Sequence, residues 1–212
     1  MTSTTQPPAG TTQPRADILP VAVDSETSAQ RARRARILAA TLALASRGGY
    51  DAVQMREVAE RSEVALGTLY RYFPSKIHLL VSAMASEVEG LATRVQKRQA
   101  PGGTRAERVS FVLERSTRSL QREPLLTEAM VRAMMAADAN VAAQVTGIRQ
   151  GMSDLIVQAM RGGGDPVEHD VEIAAILQDV WFARQIAWLG GRIEVADVWR
   201  DIHQAIVLIV ID

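Results

Sequence analysis

The sequence predicts an all-α protein of nine helices, and three observations carry that reading. Hydrophobic residues fill 47 % of the 212 positions but aromatics only 4 %, and the chain is rich in the helix formers Ala, Leu, Arg and Glu. Apolar residues recur at helical spacing in run after run, with no convincing strand. Beyond a Thr-, Gln- and Pro-rich leader (1–27), the Gly and Pro clusters fall where those runs stop.

The first helix opens near Ser28, a candidate N-cap, presents Ile37, Leu38, Thr41, Leu42 and Ala45 on one face, and stops at Gly48-Gly49. Two short apolar faces follow, Met55, Val58 and Ala59, then Val64, Leu66, Leu69 and Tyr70, separated by "RSEV". That spacing is the turn length of two short helices meeting at a steep angle, the pattern of a helix-turn-helix. A long helix then runs from Ser75 as N-cap toward Pro101-Gly102-Gly103. Thr104 with Glu107 three residues on marks a capping box for the next helix. Pro124 begins another, and a helix through Met152 and Met160 is stopped by Gly162-Gly163-Gly164. Asp165 and Pro166 read as cap and first-turn residue of the eighth helix. The ninth ends the chain; "AIVLIVI" (205–211) suits a strand by composition, but its surroundings favour helix.

Charge divides the chain. Net charge is zero, yet residues 29–78 hold nine Arg/Lys against four Asp/Glu, while 79–212 hold 14 against 17. A basic module joined to a mildly acidic body hints at an anionic partner. Arg31, Arg33, Arg34 and Arg36 crowd the first turns of a helix, where cations oppose the macrodipole. Two readings compete: a solvated arginine face, or a face compensated by an external polyanion. Three of the nine aromatic residues, Tyr70, Tyr72 and Phe73, fall within four positions of "GTLYRYFPSK". They form either a small core or a surface that grips something polar.

Residues 48–80, and "GTLYRYFPSK" above all, resemble the DNA-binding region of the TetR family of bacterial repressors. The likeness spans about 50 residues, from the first helix to the start of the fourth. It implies a helix-turn-helix DNA-binding domain at 28–78 and a ligand-binding and dimerisation domain at 79–212. It implies that Tyr70 and Lys76 meet DNA phosphates while Phe73 locks the recognition helix in place, with Tyr72 a further backbone contact. Gly67 would let the DNA backbone approach, and Thr68 can bond a phosphate or a base edge. Arg31, Arg34 and Arg71 complete the expected interface. Where the family often has glycine in the turn, this chain has Glu63; Ala65 and Leu66 replace the usual polar pair, and Gln54 stands at the second helix's cap. Base reading would then use Leu66 on a thymine methyl, with Gln54, Arg56 or Thr68 as polar readers.

The body suggests two further functions. Met130, Met134 and Met152 fall in the middle helices, where methionine either fills core or shapes an apolar ligand pocket. Phe111, Trp181 and Phe182 are candidates to join it, with Arg115, Arg118 and Gln185 to orient a ligand. Ile173, Ile176, Leu177, Val180, Trp181, Ile186, Trp188 and Leu189, then Val198, Ile202, Ile206 and Ile209, cover more than one face of the last two helices. Interior packing explains part of this excess; a homodimer built on a four-helix bundle, as the resemblance implies, explains more. Over its whole length the chain looks like the TetR repressors of actinobacterial sterol-catabolism genes. That likeness implies an inducer that is a steroid-acid coenzyme A thioester, the alternative being a fatty acyl-CoA or another hydrophobic ligand.

Other classes fare worse. His78, His169 and His203 lie on separate helices without a zinc spacing, and no cysteine exists, so no metal site, cofactor or catalytic residue is expected. No GxSxG, Walker loop or GxGxxG appears. A membrane-surface role would need large apolar anchors on the Arg-rich helix, which offers mostly Ala and Leu. With neither signal peptide nor an apolar span of about 18 residues, a cytoplasmic DNA-binding protein is expected.

Overall fold

A computed structural model describes residues 27–96, 100–164 and 169–211. Among them the chain forms nine α-helices and one 3₁₀ turn, with no strand. The leader, apart from Thr27, and the Asp165 cap with Pro166 lie outside the described residues.

Helix α1 (Ser28–Ala52) is capped by Thr27, one residue before the expected Ser28. Thr27 Oγ1 accepts from Gln30 N at 3.2 Å while Gln30 Oε1 accepts from Thr27 N at 2.7 Å. Both Thr27 and Ser28 are good caps; the glutamine three residues on selects the first, because only that register closes the reciprocal pair. The expected stop appears as a kink at Gly48-Gly49, followed by one more turn. Gly49 has φ 66°, and a Cβ there would lie 3.2 Å from the Glu128 carboxylate. The backbone conformation favours glycine here, while the glutamate side chain would have to shift slightly for any Cβ.

Helix α2 (Met55–Arg61) packs on α1, and α3 (Leu66–Tyr72) packs on α2 across the turn anticipated at "RSEV". Glu63, in the place the family often gives to glycine, adopts φ 55°. For a residue with a Cβ this left-handed backbone costs roughly 1–2 kcal/mol. Ala65 is the N-cap of α3 and, lacking an oxygen, makes no capping bond. Ala65→Ser should therefore raise stability by about 1 kcal/mol, read as a higher midpoint in urea. An unchanged midpoint would show that α3 is held by tertiary packing alone.

Helix α4 (Lys76–Gln96) has the expected cap: Ser75 Oγ accepts from His78 N at 3.2 Å. The capping box of Thr104 and Glu107 opens α5 (Arg105–Arg122), and Pro124 opens α6 (Pro124–Met135). A 3₁₀ turn (Ala139–Val141) leads into α7 (Ala142–Arg161), which ends at left-handed Gly162. Arg108 of α5 grips that end, donating from Nε to Ala159 O at 2.9 Å and from Nη2 to Met160 O at 2.7 Å. Helices α8 (Asp170–Leu189) and α9 (Val195–Ile209) complete the chain, so most of "AIVLIVI" is helical.

Two cores form. The first joins α1–α4 to α6 and α7 through Ile37, Leu44, Val58, Leu69, Phe73, Leu79, Leu80, Ala129, Ala133 and Ile148. The basic module is thus seated on the body through α6. The second core is built by α5, α7, α8 and α9 around Leu113, Leu155, Ile156, Leu177, Trp181, Ile202 and Ile206. The indole N–H of Trp181 donates to Thr117 Oγ1 at 2.8 Å, tying α8 to α5. Leu177, Trp181, Val198, Ile202 and Ile206 therefore belong to this chain's own interior, not to a dimer face.

Candidate nucleic-acid interface and ligand cavity

The recognition helix α3 splits its residues by periodicity. Leu69 is buried, as is Phe73 just beyond the helix, and these anchor it. Leu66 (41 % exposed) and Tyr70 (46 % exposed) point outward with Gly67 and Arg71. Tyr72 packs against the first core, its ring centroid 6.3 Å from that of Phe73, so it is a supporting residue more than a free surface group. The cluster is both things weighed from sequence, half core and half surface.

Gly67 is the informative position. A Cβ built there meets nothing within 4 Å, so packing inside the chain does not demand glycine. The bare, exposed backbone at this position leaves room for an external group to approach closely. Gly67→Ala should stabilise α3 by about 0.5–1 kcal/mol and yet weaken duplex binding. Thermal melting and DNA titration of one variant check both signs.

The basic end of α1 lies beside this helix. Arg31 is exposed, and the Arg34 guanidinium sits 5.9 Å from the centroid of the Phe73 ring. Exposed Arg71 continues the basic face, whereas exposed Arg56 on α2 lies 3.7 Å from Glu60, a solvent-screened pair that holds little energy. Gln54 is the N-cap residue of α2, but its amide turns back to donate to Asp51 O at 2.8 Å and makes no capping bond. Ala65 and Thr68 complete the outer and flanking surface of the α3 start.

Lys76 is placed differently from a freely extended phosphate contact. Its ammonium lies 3.9 Å from the centroid of the Tyr50 ring, and the Arg132 guanidinium of α6 lies 4.3 Å from the same centroid. Desolvation here pulls the lysine pKa below its usual value, with Asp51 opposing, Arg132 adding and Glu128 opposing. Tyr50 N donates to Glu128 Oε2 at 3.3 Å, so this cluster ties the end of α1 to α6.

Behind the module, a cavity of ≈ 140 Å³ opens between α4, α5, α6, α7 and α8. Met130, Met152, Trp181, Phe182 and Gln185 line it, as expected from sequence. Met134 does not; it packs against the first core, because its place on α6 faces α1 and α4. Phe111, Arg115 and Arg118 line a neighbouring groove of ≈ 450 Å³ with Arg122, and that groove meets the cavity at Leu91 and Ser119. The sequence reading missed the α4 wall, Met84, Val88 and Leu91. Their spacing of four and three places them on one face of α4, but that spacing alone does not say that the face meets a cavity.

Among the described residues, no helix is long and apolar enough to cross a membrane, and no group of three His, Asp or Glu could hold a metal. A basic helix-turn-helix on a helical body with an internal apolar cavity defines a ligand-sensing transcriptional regulator. Residues 37–83 match the family described as "Bacterial regulatory proteins, tetR family", and residues 102–209 match "Tetracyclin repressor-like, C-terminal domain". The chain belongs to the TetR family. It is 47 % identical over 194 residues to the HTH-type transcriptional repressor KstR of Mycolicibacterium smegmatis, covering 90 % of this chain and 95 % of that one. A TetR transcriptional regulator from Rhodococcus sp. RHA1 superposes with a TM-score of 0.78 at 34 % identity, covering 86 % and 97 % of the two chains. The Bacillus subtilis regulator FadR, solved with stearoyl-CoA, shares the fold at a TM-score of 0.62 and 18 % identity, covering 83 % and 97 %.

Proposed function

We propose that this chain is a homodimeric repressor that holds operator DNA through α3 and releases it when a steroid-acid coenzyme A thioester enters the cavity. The observation that carries the reading is the cavity's α4 wall. Helix α4 follows the recognition helix after only Phe73, Pro74 and Ser75, so the ligand wall and the DNA reader are nearly one rigid piece. The cavity's ≈ 140 Å³ is well below the roughly 300–1,000 Å³ of small-molecule sites, so a four-ring ligand must push its walls outward. Displacing α4 moves α3. In a dimer, the two recognition helices must match half-sites about 34–36 Å apart, and that match is lost.

The ligand's chemistry follows from the two connected spaces. The apolar cavity suits a sterol body, while Arg115 and Arg122, with Arg118 paired to Glu114 beside them, offer cations to the phosphates of coenzyme A. Dimerisation is supported by apolar side chains left outside both cores: Ile176 on α8, Val207 and Leu208 on α9, and Ile211 beyond it.

Phosphate contacts are assigned to Arg31, Arg34, Tyr70 and Lys76, with Lys76 leaving Tyr50 on DNA binding. Lys76→Ala should then weaken all duplexes alike and reduce the salt slope by about one. An unaltered slope would confine Lys76 to the Tyr50 cluster. The function itself is tested by titrating the complex with the DNA upstream of this chain's own coding sequence. Release by a steroid-acid thioester, and none by free coenzyme A, is expected. Release by fatty acyl-CoA alone would hand the site to that ligand instead.

A further inference from the structure

Among the described residues lining the cavity, Gln185 is a buried polar side chain with no hydrogen-bond partner. It lies on α8, is 1 % exposed, and neither its Nε2 nor its Oε1 has a hydrogen-bond partner among the described residues. The other buried polar groups around the cavity are committed. Ser116 Oγ donates to Val112 O at 2.9 Å, Thr127 Oγ1 to Leu120 O at 2.7 Å, and the Trp181 indole to Thr117. An unpaired buried amide is costly, and natural interiors rarely retain one without a use.

We infer that Gln185 reads an oxygen function on the ring system of the ligand, at the end remote from the thioester. This rests on the ligand reading above and deepens it. The arginine groove is lined by α4 and α5 alone and shares only Leu91 and Ser119 with the cavity. A molecule with its phosphates in that groove enters past those two residues and brings its apolar end toward α8. There a primary amide offers a donor and an acceptor on one rotatable group. A ring ketone accepts from Nε2–H; a ring hydroxyl donates to Oε1 or accepts from Nε2–H. A ring without oxygen leaves both amide atoms unpaired, as does a plain acyl chain. Gln185 is thus a specificity residue, separating oxygenated sterol acids from molecules of the same apolar bulk.

The test uses the full-length protein on its DNA and three steroid-acid coenzyme A thioesters differing only in the ring: ketone, hydroxyl, or neither. For the wild type, the deoxygenated thioester should need at least about tenfold more ligand for half-release. In Gln185→Leu the three should converge to within about twofold, because no amide remains to be satisfied. Gln185→Met, an unbranched side chain of similar length, repeats the comparison if the leucine variant folds poorly. Equal release of wild type by all three thioesters overturns the inference and leaves the ligand reading standing. So does a preference that persists in both variants. If none of the three releases wild type, the ligand reading falls and the role of Gln185 falls with it.

Discussion

Ile206→Glu should leave no folded protein, whereas Leu208→Glu should leave a folded monomer. The two residues are two positions apart on α9 with similar apolar bulk, but Ile206 is 1 % exposed in the second core and Leu208 is 70 % exposed. A carboxylate at position 206 would be surrounded by apolar atoms and would have to be neutralised or drawn to water. Either route, with the lost apolar contact, costs several kcal/mol. Whole domains have only about 5–15 kcal/mol of stability to lose. At position 208 the charge meets solvent in the monomer and is buried only if a partner covers it. Circular dichroism with sedimentation reads both outcomes. A dimeric Leu208→Glu protein would remove the outer face of α9 from the interface. A folded Ile206→Glu protein would contradict the placement of α9 against α5.

Met152→Trp should make the repressor nearly deaf to its inducer. Met152 is 3 % exposed and lines the cavity from α7, the space that the proposed ligand would have to widen. The indole occupies part of the ≈ 140 Å³ and leaves less to expand into. By linkage, an inducer acts only through its preference for the DNA-incompetent arrangement, and a tenfold loss of operator affinity needs about 1.4 kcal/mol of preference. Overpacking of about 1–3 kcal/mol is enough to cancel that. The concentration of thioester for half-release should therefore rise by about tenfold or more. Met152→Ala is the control, since it enlarges the space and should keep the response. If Met152→Trp responds like wild type, the ligand sits elsewhere, the arginine groove being the place to look.

Most helix ends were legible in the sequence, because caps and stops are local chemistry. Thr104 with Glu107, Ser75, Pro124 and Gly162 each act within a few residues of the bond they make or prevent. The segment "GTLYRYFPSK" was legible in the same way, since its periodicity separates buried Phe73 from exposed Tyr70. Thr27 was missed as the first cap only because two good capping residues adjoin.

Tertiary structure alone decided the rest. Apolar residues cover several sides of α8 and α9, and nothing local marks Ile206 as interior and Leu208 as outer face; that depends on where α5 lies. Met134 and Met130 are one turn apart on α6, yet one serves the first core and the other the cavity, because the two methionines meet different long-range neighbours. Lys76 was legible as a basic residue at a helix start, but not its position over Tyr50, which requires the end of α1 to fold back toward α6. A residue's own face follows from helical period; what that face meets follows from long-range packing, which a local pattern does not encode.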